Sequence, residues 1–257
     1  MTHPIRIALL GAFGRMGRTI APLVDAASDL ELVACVDVRM PEKTTSRDFS
    51  ALEDAPEFDL LIDFSIPQAT EAAIPEMERR RASWLVATTG ISQEVRDRIT
   101  ALARRQPVFM ASNTSLGVAV MQRLCAQAAA AFAHWDCEIV ETHHRNKLDA
   151  PSGTALSLAQ TIATARAART DLVTDRSQRR EIRPNDEIGI ASLRGGTVVG
   201  EHSALWFGPG ERFEIRHTAE NRDIFAHGAC QIARWIANQP EGLYGMNNLV
   251  EDILRRV

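Results

Sequence analysis

A short apolar run, Ile5 to Leu10 (IRIALL), passes directly into Gly11-Ala12-Phe13-Gly14-Arg15-Met16-Gly17-Arg18 and then into a helical pattern reaching about Ala27. No other stretch of the chain constrains its fold as tightly. An apolar run of this length is what a strand buried on both faces requires. Strand, glycine-rich turn and helix in that order open a dinucleotide-binding fold. The glycines let the turn close, and they let backbone N–H groups at the helix start approach a pyrophosphate. That makes Gly11, Gly14, Arg15, Met16 and Gly17 candidates for the coenzyme. The spacing is GxxGxxG rather than GxGxxG, because Phe13 holds the usual middle position. Pro22 inside the helix predicts a kink or local break.

The residues downstream extend this pattern. Glu31 to Val38 (ELVACVDV) reads as the second strand, with Asp37 near its end and twenty positions after Gly17. An acid at about that offset meets the adenosine ribose hydroxyls. A carboxylate there favours NADH and repels a 2′-phosphate, whereas Arg39, with Arg15 and Arg18, can accommodate NADPH. The residues leave the coenzyme open between NADH and NADPH. Strands over 58–64, 84–87 and 108–111 then alternate with helices over 68–80 and from Ser92, a plausible N-cap, through Arg105. Such alternation means a parallel, doubly wound sheet. Ligands of these sheets bind beyond the carboxyl ends of the strands. That rule gathers Phe64-Ser65, Thr88-Thr89-Gly90 and Ser112-Asn113 on the rim of the glycine turn. Thr88, Thr89, Gly90, Ser112 and Asn113 are therefore candidates for nicotinamide contact; the plainer reading is a set of polar turns.

The second half differs. After a helix over 116–132, Cys137 to Thr142 (CEIVET) alternates as a half-exposed strand and delivers Glu141-Thr142-His143-His144-Arg145-Asn146-Lys147-Leu148-Asp149-Ala150-Pro151-Ser152-Gly153-Thr154. Histidines carry protons near neutral pH, and Arg145 and Lys147 add fixed positive charge. Ser152, Gly153 and Thr154 open a helical pattern running to Ala168, and the first N–H groups of a helix bind oxyanions. A proton donor, cations and an anion-binding helix start suit a small acidic substrate. The bland alternative is a solvated basic strand end running into a capped helix. Adjacent strand residues face opposite ways, so His143 and His144 do not form a two-histidine metal site, and no metal is expected. Strands over 187–193, 197–207 and 212–218, joined by short glycine turns, indicate an antiparallel or mixed sheet. His202 and His217, isolated on those strands, read as structural. A last helix over 222–237 can return to the first domain.

The net charge of -4 disfavours wholesale binding to nucleic acid or an anionic membrane. No apolar run approaches the ~20 residues of a membrane helix, and no signal-like leader precedes the first strand. Cys35, Cys125, Cys137 and Cys230 show no zinc-like spacing, which reads as buried reduced thiols in a cytoplasmic protein.

GAFGRMGR near the N-terminus, ATTG at 87–90, ASNTSLGV at 111–118, ETHHRNKLDAPSGTAL, GEHSALWFGPGERFEI and HTAENRDIFAHGA together closely resemble the dihydrodipicolinate reductase (4-hydroxy-tetrahydrodipicolinate reductase) family over nearly the whole chain. The HHRNK and DAPSGTAL block is the specific part; the glycine turn is shared by many folds. The resemblance implies a Rossmann domain over 1–113, an α+β substrate and oligomerisation domain over 114–221, and a segment over 222–257 returning to the first. It also implies a homotetramer that transfers hydride from NADH or NADPH to a small cyclic dicarboxylate in diaminopimelate and lysine biosynthesis. By the family pattern, His143 is the proton donor and Lys147 holds the substrate and supports its charge. Gly153-Thr154 binds a carboxylate, with His144 and Ser152 as further substrate contacts. Ala87, Thr114 and Asn146 depart from the pattern.

Hydride addition to a conjugated ring builds negative charge that a general acid of near-neutral pKa can quench. His143, beside Arg145 and Lys147, is expected to be pushed toward neutrality, and a bound dianion to reverse that field. Two rivals are another Rossmann oxidoreductase acting on an amino or imino acid, of the aspartate dehydrogenase kind, and a non-catalytic nucleotide sensor.

Overall fold

The computed structural model describes residues 3–39, 45–166, 170–177 and 179–256. They form two compact units, Met1–Leu116 with Asp223–Val257, and Gly117–Arg222. The first begins with β1 (Ile5–Leu10), α1 (Gly17–Asp25), β2 (Leu30–Val36), β3 (Asp48–Phe49), β4 (Leu60–Asp63), α2 (Pro67–Arg80), β5 (Ser83–Val86), α3 (Gln93–Leu102) and β6 (Pro107–Met110). Ile7, Leu9, Leu60, Leu61, Ile62, Trp84, Leu85 and Phe109 have no exposed surface. Two-sided burial is why these strands read as continuous apolar runs rather than alternating ones. Each such side chain contributes roughly 1.5–3 kcal/mol on burial.

Pro22 lies inside α1 without ending it, because Ala26 N–H donates to Pro22 O at 3.0 Å and closes the last turn. Pro22 and Arg18, whose carbonyl loses its helical partner to the ring, are both exposed. The helix continues from Gly17 to Asp25, so the local break does not occur. Ser92 caps α3 as the sequence suggests, accepting from Val95 N–H at 3.2 Å. The helix stops at Leu102 rather than Arg105. Likewise β4 starts at Leu60 rather than Phe58, because its ladder with β1 begins at the Ile7–Leu60 pair.

The second unit contains most of α4 (Leu116–Ala131), then β7 (Asp136–His143), α5 (Gly153–Arg166), β8 (Asp171–Val173), β9 (Glu187–Arg194), β10 (Gly200–Gly208) and β11 (Glu211–Ala219). Its sheet has the order β11-β10-β7-β9-β8 and is mixed: β10 runs antiparallel to β11 and β7, and β9 parallel to β7 and β8. Along β7 the residues Cys137, Ile139, Glu141 and His143 are buried and alternate with half-buried ones. Their face packs on Met121 and Cys125 of α4, Leu158 and Ile162 of α5, and Trp206 of β10. The expected continuation of α5 to Ala168 lies outside the described residues.

The chain then returns to the first unit with α6 (Asp223–Ile236), β12 (Gly242–Tyr244) and α7 (Met246–Arg255). β12 pairs with β6, completing a seven-stranded, all-parallel sheet of order β12-β6-β5-β4-β1-β2-β3. α6 buries Ala226, Ala229, Ile232, Ala233 and Ile236 in the same core as Ile7, Leu9 and Ile20, and Arg234 pairs with Asp29 at 2.6 Å. All four cysteines are buried free thiols, and burial pushes Cys125 and Cys137 up to about 12. Among the described residues no helix is long and apolar enough to cross a membrane.

Candidate active site

β1 ends at Leu10, and Gly11 begins the turn at φ +84°. Its N–H donates to Val36 O at 2.8 Å, and a Cβ here would lie 2.4 Å from Phe64 O. Both facts demand glycine. The turn carries Gly14 and the exposed Arg15 to Met16, which packs against the core, and Gly17 starts α1.

Asp37 follows β2 and is buried. Its carboxylate accepts from Phe13 N–H at 3.2 Å, Arg39 N–H at 2.9 Å and the Arg39 guanidinium at 3.3 Å. Burial alone would raise the Asp37 pKa; these donors, Arg39 foremost, hold it below the usual carboxylate range. Gly11, Asp37, Arg39, Ser50, Ser65 and Ala69 line part of a cavity of about 360 Å³, within the ~300–1,000 Å³ span of small-ligand sites. An acid on the wall and a 70% exposed guanidinium beside it fit the adenosine end of a dinucleotide.

A second cavity of about 300 Å³ is lined by Thr88, Thr89, Gly90, Arg96 and Ser112. Asn113 follows, its Oδ1 accepting from Ser115 N–H at 2.9 Å. Thr88 is buried while Thr89, Gly90 and Ser112 are exposed. The Thr88 hydroxyl turns inward, donating to Asp63 Oδ1 at 2.8 Å and accepting from Ser65 N–H at 2.9 Å. Asp63, at the end of β4, also accepts from the Ser65 and Thr70 hydroxyls. Burial raises the Asp63 pKa while those hydroxyls oppose the rise. Sequence reasoning missed Asp63; its one signal was an acid closing an apolar strand.

In the second unit, β7 ends at His143, so His144 lies beyond the strand and the alternation argument no longer governs where it points. Its Nε2 accepts from the Arg222 guanidinium at 3.2 Å. His143 Nδ1 lies 2.6 Å from Glu141 Oε2. The Arg194 guanidinium donates to both Glu141 oxygens at 2.8 Å, and Ser152 N–H donates to Oε1 at 3.1 Å. Burial would raise the Glu141 pKa; Arg194, His143, Ser192 and the Ser152 N–H bring it down to about 2. For His143, burial lowers the pKa, Glu141 raises it, and Lys147 and Arg194 lower it again, leaving it below the ordinary value. The direction matches the sequence argument, but burial leads, and Arg194 rather than Arg145 joins Lys147.

Ser152 caps α5, its Oγ accepting from Ala155 N–H at 3.2 Å and lying 3.0 Å from His202 Nε2. Exposed Gly153 and half-buried Thr154 then open the helix. Lys147 Nζ is 2.9 Å from Asp149 Oδ1. His202 is buried, its ring 5.2 Å from that of His143, and burial pushes it down to about 4. Isolation in sequence hid it, and likewise Arg194; strand register brings His202 opposite Glu141. Among the described residues no group of His, Cys, Asp or Glu is arranged to hold a metal ion.

An all-parallel doubly wound sheet with a glycine turn and an acid after β2, joined to a mixed-sheet unit with a buried histidine–carboxylate pair, defines a Rossmann-type oxidoreductase. Two family models match: dihydrodipicolinate reductase, N-terminus, over residues 5–114, and dihydrodipicolinate reductase, C-terminus, over 117–250. The 4-hydroxy-tetrahydrodipicolinate reductase of Zymomonas mobilis is 40% identical over 251 residues, covering 96% of this chain and 97% of that one. The dipicolinate-bound dihydrodipicolinate reductase of Paenisporosarcina sp. TG-14 superposes with a TM-score of 0.82 at 27% identity, over 95% of this chain and 99% of that chain. Aspartate dehydrogenase of Thermotoga maritima, at 10% identity and a TM-score of 0.51 over 93% and 99% of the two chains, shares the fold alone. The chain belongs to the dihydrodipicolinate reductase family.

Proposed function

We propose that the protein reduces 4-hydroxy-tetrahydrodipicolinate to tetrahydrodipicolinate with NADH or NADPH, in diaminopimelate and lysine biosynthesis. One observation carries this reading: a buried His143–Glu141 pair beside the start of α5, in a chain whose two halves match the two domains of one reductase family.

When bound, the reduced coenzyme supplies a hydride. Overall the substrate gains that hydride and one proton and loses its 4-hydroxyl as water, a two-electron reduction. The negative charge that hydride addition leaves on the ring is quenched by His143 as general acid. Burial and the cations Lys147 and Arg194 lower the pKa of the free imidazole, against the pull of Glu141. A dianionic substrate opposes those cations, so its binding favours the protonated imidazole. Lys147 and the N–H groups at Gly153 and Thr154 hold carboxylates, with Ser152 and His144 at the edges of the same stretch.

For the coenzyme, the turn of Gly11, Gly14, Arg15, Met16 and Gly17 takes the pyrophosphate, and Asp37 the ribose hydroxyls. Arg39 takes a 2′-phosphate when present. Thr88, Thr89, Gly90, Ser112 and Asn113 border the nicotinamide. We assign residues 1–113 to the coenzyme, 114–221 to substrate and oligomerisation, and 222–257 to the return segment. The same reading carries a homotetramer in the cytoplasm.

Oxidation of NADH and of NADPH should be followed with freshly generated 4-hydroxy-tetrahydrodipicolinate. Turnover with either coenzyme supports the reading. Turnover only with oxaloacetate and ammonia favours an aspartate dehydrogenase, and coenzyme binding without any turnover favours a nucleotide sensor.

A further inference from the structure

Glu141 is more than a partner for one cation. Oε1 accepts from Arg194 Nη2 and Ser152 N–H, while Oε2 accepts from Arg194 Nη1 and lies 2.6 Å from His143 Nδ1. The Ser192 hydroxyl bonds the carboxylate as well, so donors surround an ionised, acceptor-only group. The same bonds come from three separate elements, namely β9, the start of α5 and β7 itself, so the carboxylate cannot turn without breaking several of them.

An acceptor-only group 2.6 Å from Nδ1 requires that Nδ1 carry the hydrogen. The nitrogen left to gain and lose a proton is then Nε2. This atom faces Gly200 on β10, where an ideal Cβ would lie 3.0 Å from it. A larger residue there would crowd the side of the ring from which a proton must leave. The remaining neighbours fit the same picture. His202, also on β10, packs edge-to-face on the ring at 5.2 Å, and burial keeps it neutral, down at about 4. Lys147 in the loop after β7 and Arg194 on β9 are the cations facing the ring; Asp149 pairs with Lys147.

We propose that Glu141 is the positioning residue of proton transfer. Clamped by Arg194 and the Ser152 N–H, it holds His143 in the Nδ1–H form so that Nε2 alone exchanges the proton with the substrate, and Gly200 leaves Nε2 accessible. The inference rests on the reading of His143 as proton donor. It goes beyond that reading by naming the nitrogen and the groups that select it. Arg194 has a defined part here. By keeping Glu141 anionic it prevents the carboxyl from taking the imidazole proton, so the pair acts by orientation and charge rather than as a relay.

The test combines nitrogen-15 chemical shifts of His143 in the wild-type enzyme with kinetics of Glu141→Gln, Glu141→Asp and His143→Ala. In the wild type the neutral ring should be the Nδ1–H tautomer, with Nε2 titrating; a neutral Nε2–H form would overturn the proposal without any variant. Glu141→Gln should lower kcat by roughly 10²-fold, within the ~10²–10⁴ that a general acid supplies, with coenzyme affinity unchanged. The high-pH fall of kcat/KM should move to lower pH, because the carboxylate is the neighbour that raises the His143 pKa. Glu141→Asp, which keeps the charge, should recover part of both. Unchanged kcat and pH profile in Glu141→Gln, alongside an inactive His143→Ala enzyme, would sink the role of Glu141 alone. Full activity in His143→Ala would sink the donor reading itself.

Discussion

Ser152 Oγ and His202 Nε2 meet at 3.0 Å across fifty positions of sequence, tying the start of α5 to β10 of the mixed sheet. The imidazole in this contact is buried and held down at about 4, mainly by burial, with the nearby His143, His217 and Lys147 adding to the effect. A histidine whose folded pKa lies below its unfolded value of 6.5 leaves the unfolded chain binding the extra proton. Its contribution to stability is complete above pH 6.5 and is lost as the pH falls toward 4. At about 1.4 kcal/mol per unit, the loss is roughly 3 kcal/mol. Urea unfolding between pH 7 and 4 should therefore show a steeper acid loss in the wild type than in His202→Gln. Parallel curves would contradict this assignment. Glu141, lowered to about 2, acts in a separate window, with stability lost as the pH falls below 4.5.

Asp37 and Arg39 oppose one another on one wall of the 360 Å³ cavity. Replacing Asp37 with Asn removes the carboxylate that repels a 2′-phosphate, while Arg39→Ala removes the cation that attracts one. The NADPH/NADH ratio of kcat/KM should rise about tenfold in the first and fall about tenfold in the second, each near the ~1.4 kcal/mol of one charge-assisted contact. Equal changes for both coenzymes would remove these residues from the choice.

Asp63 gathers the hydroxyls of Ser65, Thr70 and Thr88 under the strand-end rim. Asp63→Ala removes the acceptor of two buried hydroxyls, Thr70 and Thr88, at about 1–3 kcal/mol for each left unsatisfied, so its denaturant midpoint should fall markedly. Burial raises the Asp63 pKa in the folded state. Its ionisation then costs stability as the pH rises through that value, a cost that Asp63→Asn should remove. An Asp63→Ala midpoint equal to that of the wild type would show the network to be dispensable.

Substrate charge should act on His143. In the free enzyme its pKa lies below the ordinary value, and binding a cyclic dicarboxylate such as dipicolinate should raise it, because the dianion offsets Lys147 and Arg194. An NMR titration of His143 with and without the ligand reads this shift. An unmoved midpoint would mean that the substrate does not help protonate its own acid. Lys147→Ala should raise KM and lower kcat together.

The coenzyme half was legible because its signals are local. A buried parallel strand is a contiguous apolar run, and the turn 11–17 and Asp37 lie at offsets set by one βαβ unit. The short strands β3, β8 and β12 carry only two or three residues each, too few for any periodicity, and were not anticipated. The histidine pair and the α5 start were visible as residue types in one stretch. Their partners were not, since Arg194 and His202 reach Glu141 and Ser152 through the pairing of β7 with β9 and β10. Strand register across fifty residues leaves no mark in a linear pattern. Pro22 does not break α1, which runs on from Gly17 to Asp25.

Turnover of freshly generated 4-hydroxy-tetrahydrodipicolinate by wild-type and His143→Ala enzyme, with coenzyme affinity measured in both, decides whether this is a reductase whose proton comes from β7. The wild type should oxidise NADH or NADPH with this substrate. His143→Ala should bind coenzyme as tightly yet turn over ~10²- to 10⁴-fold more slowly. A wild type inert toward this substrate, or a His143→Ala enzyme as fast as the wild type, would contradict it.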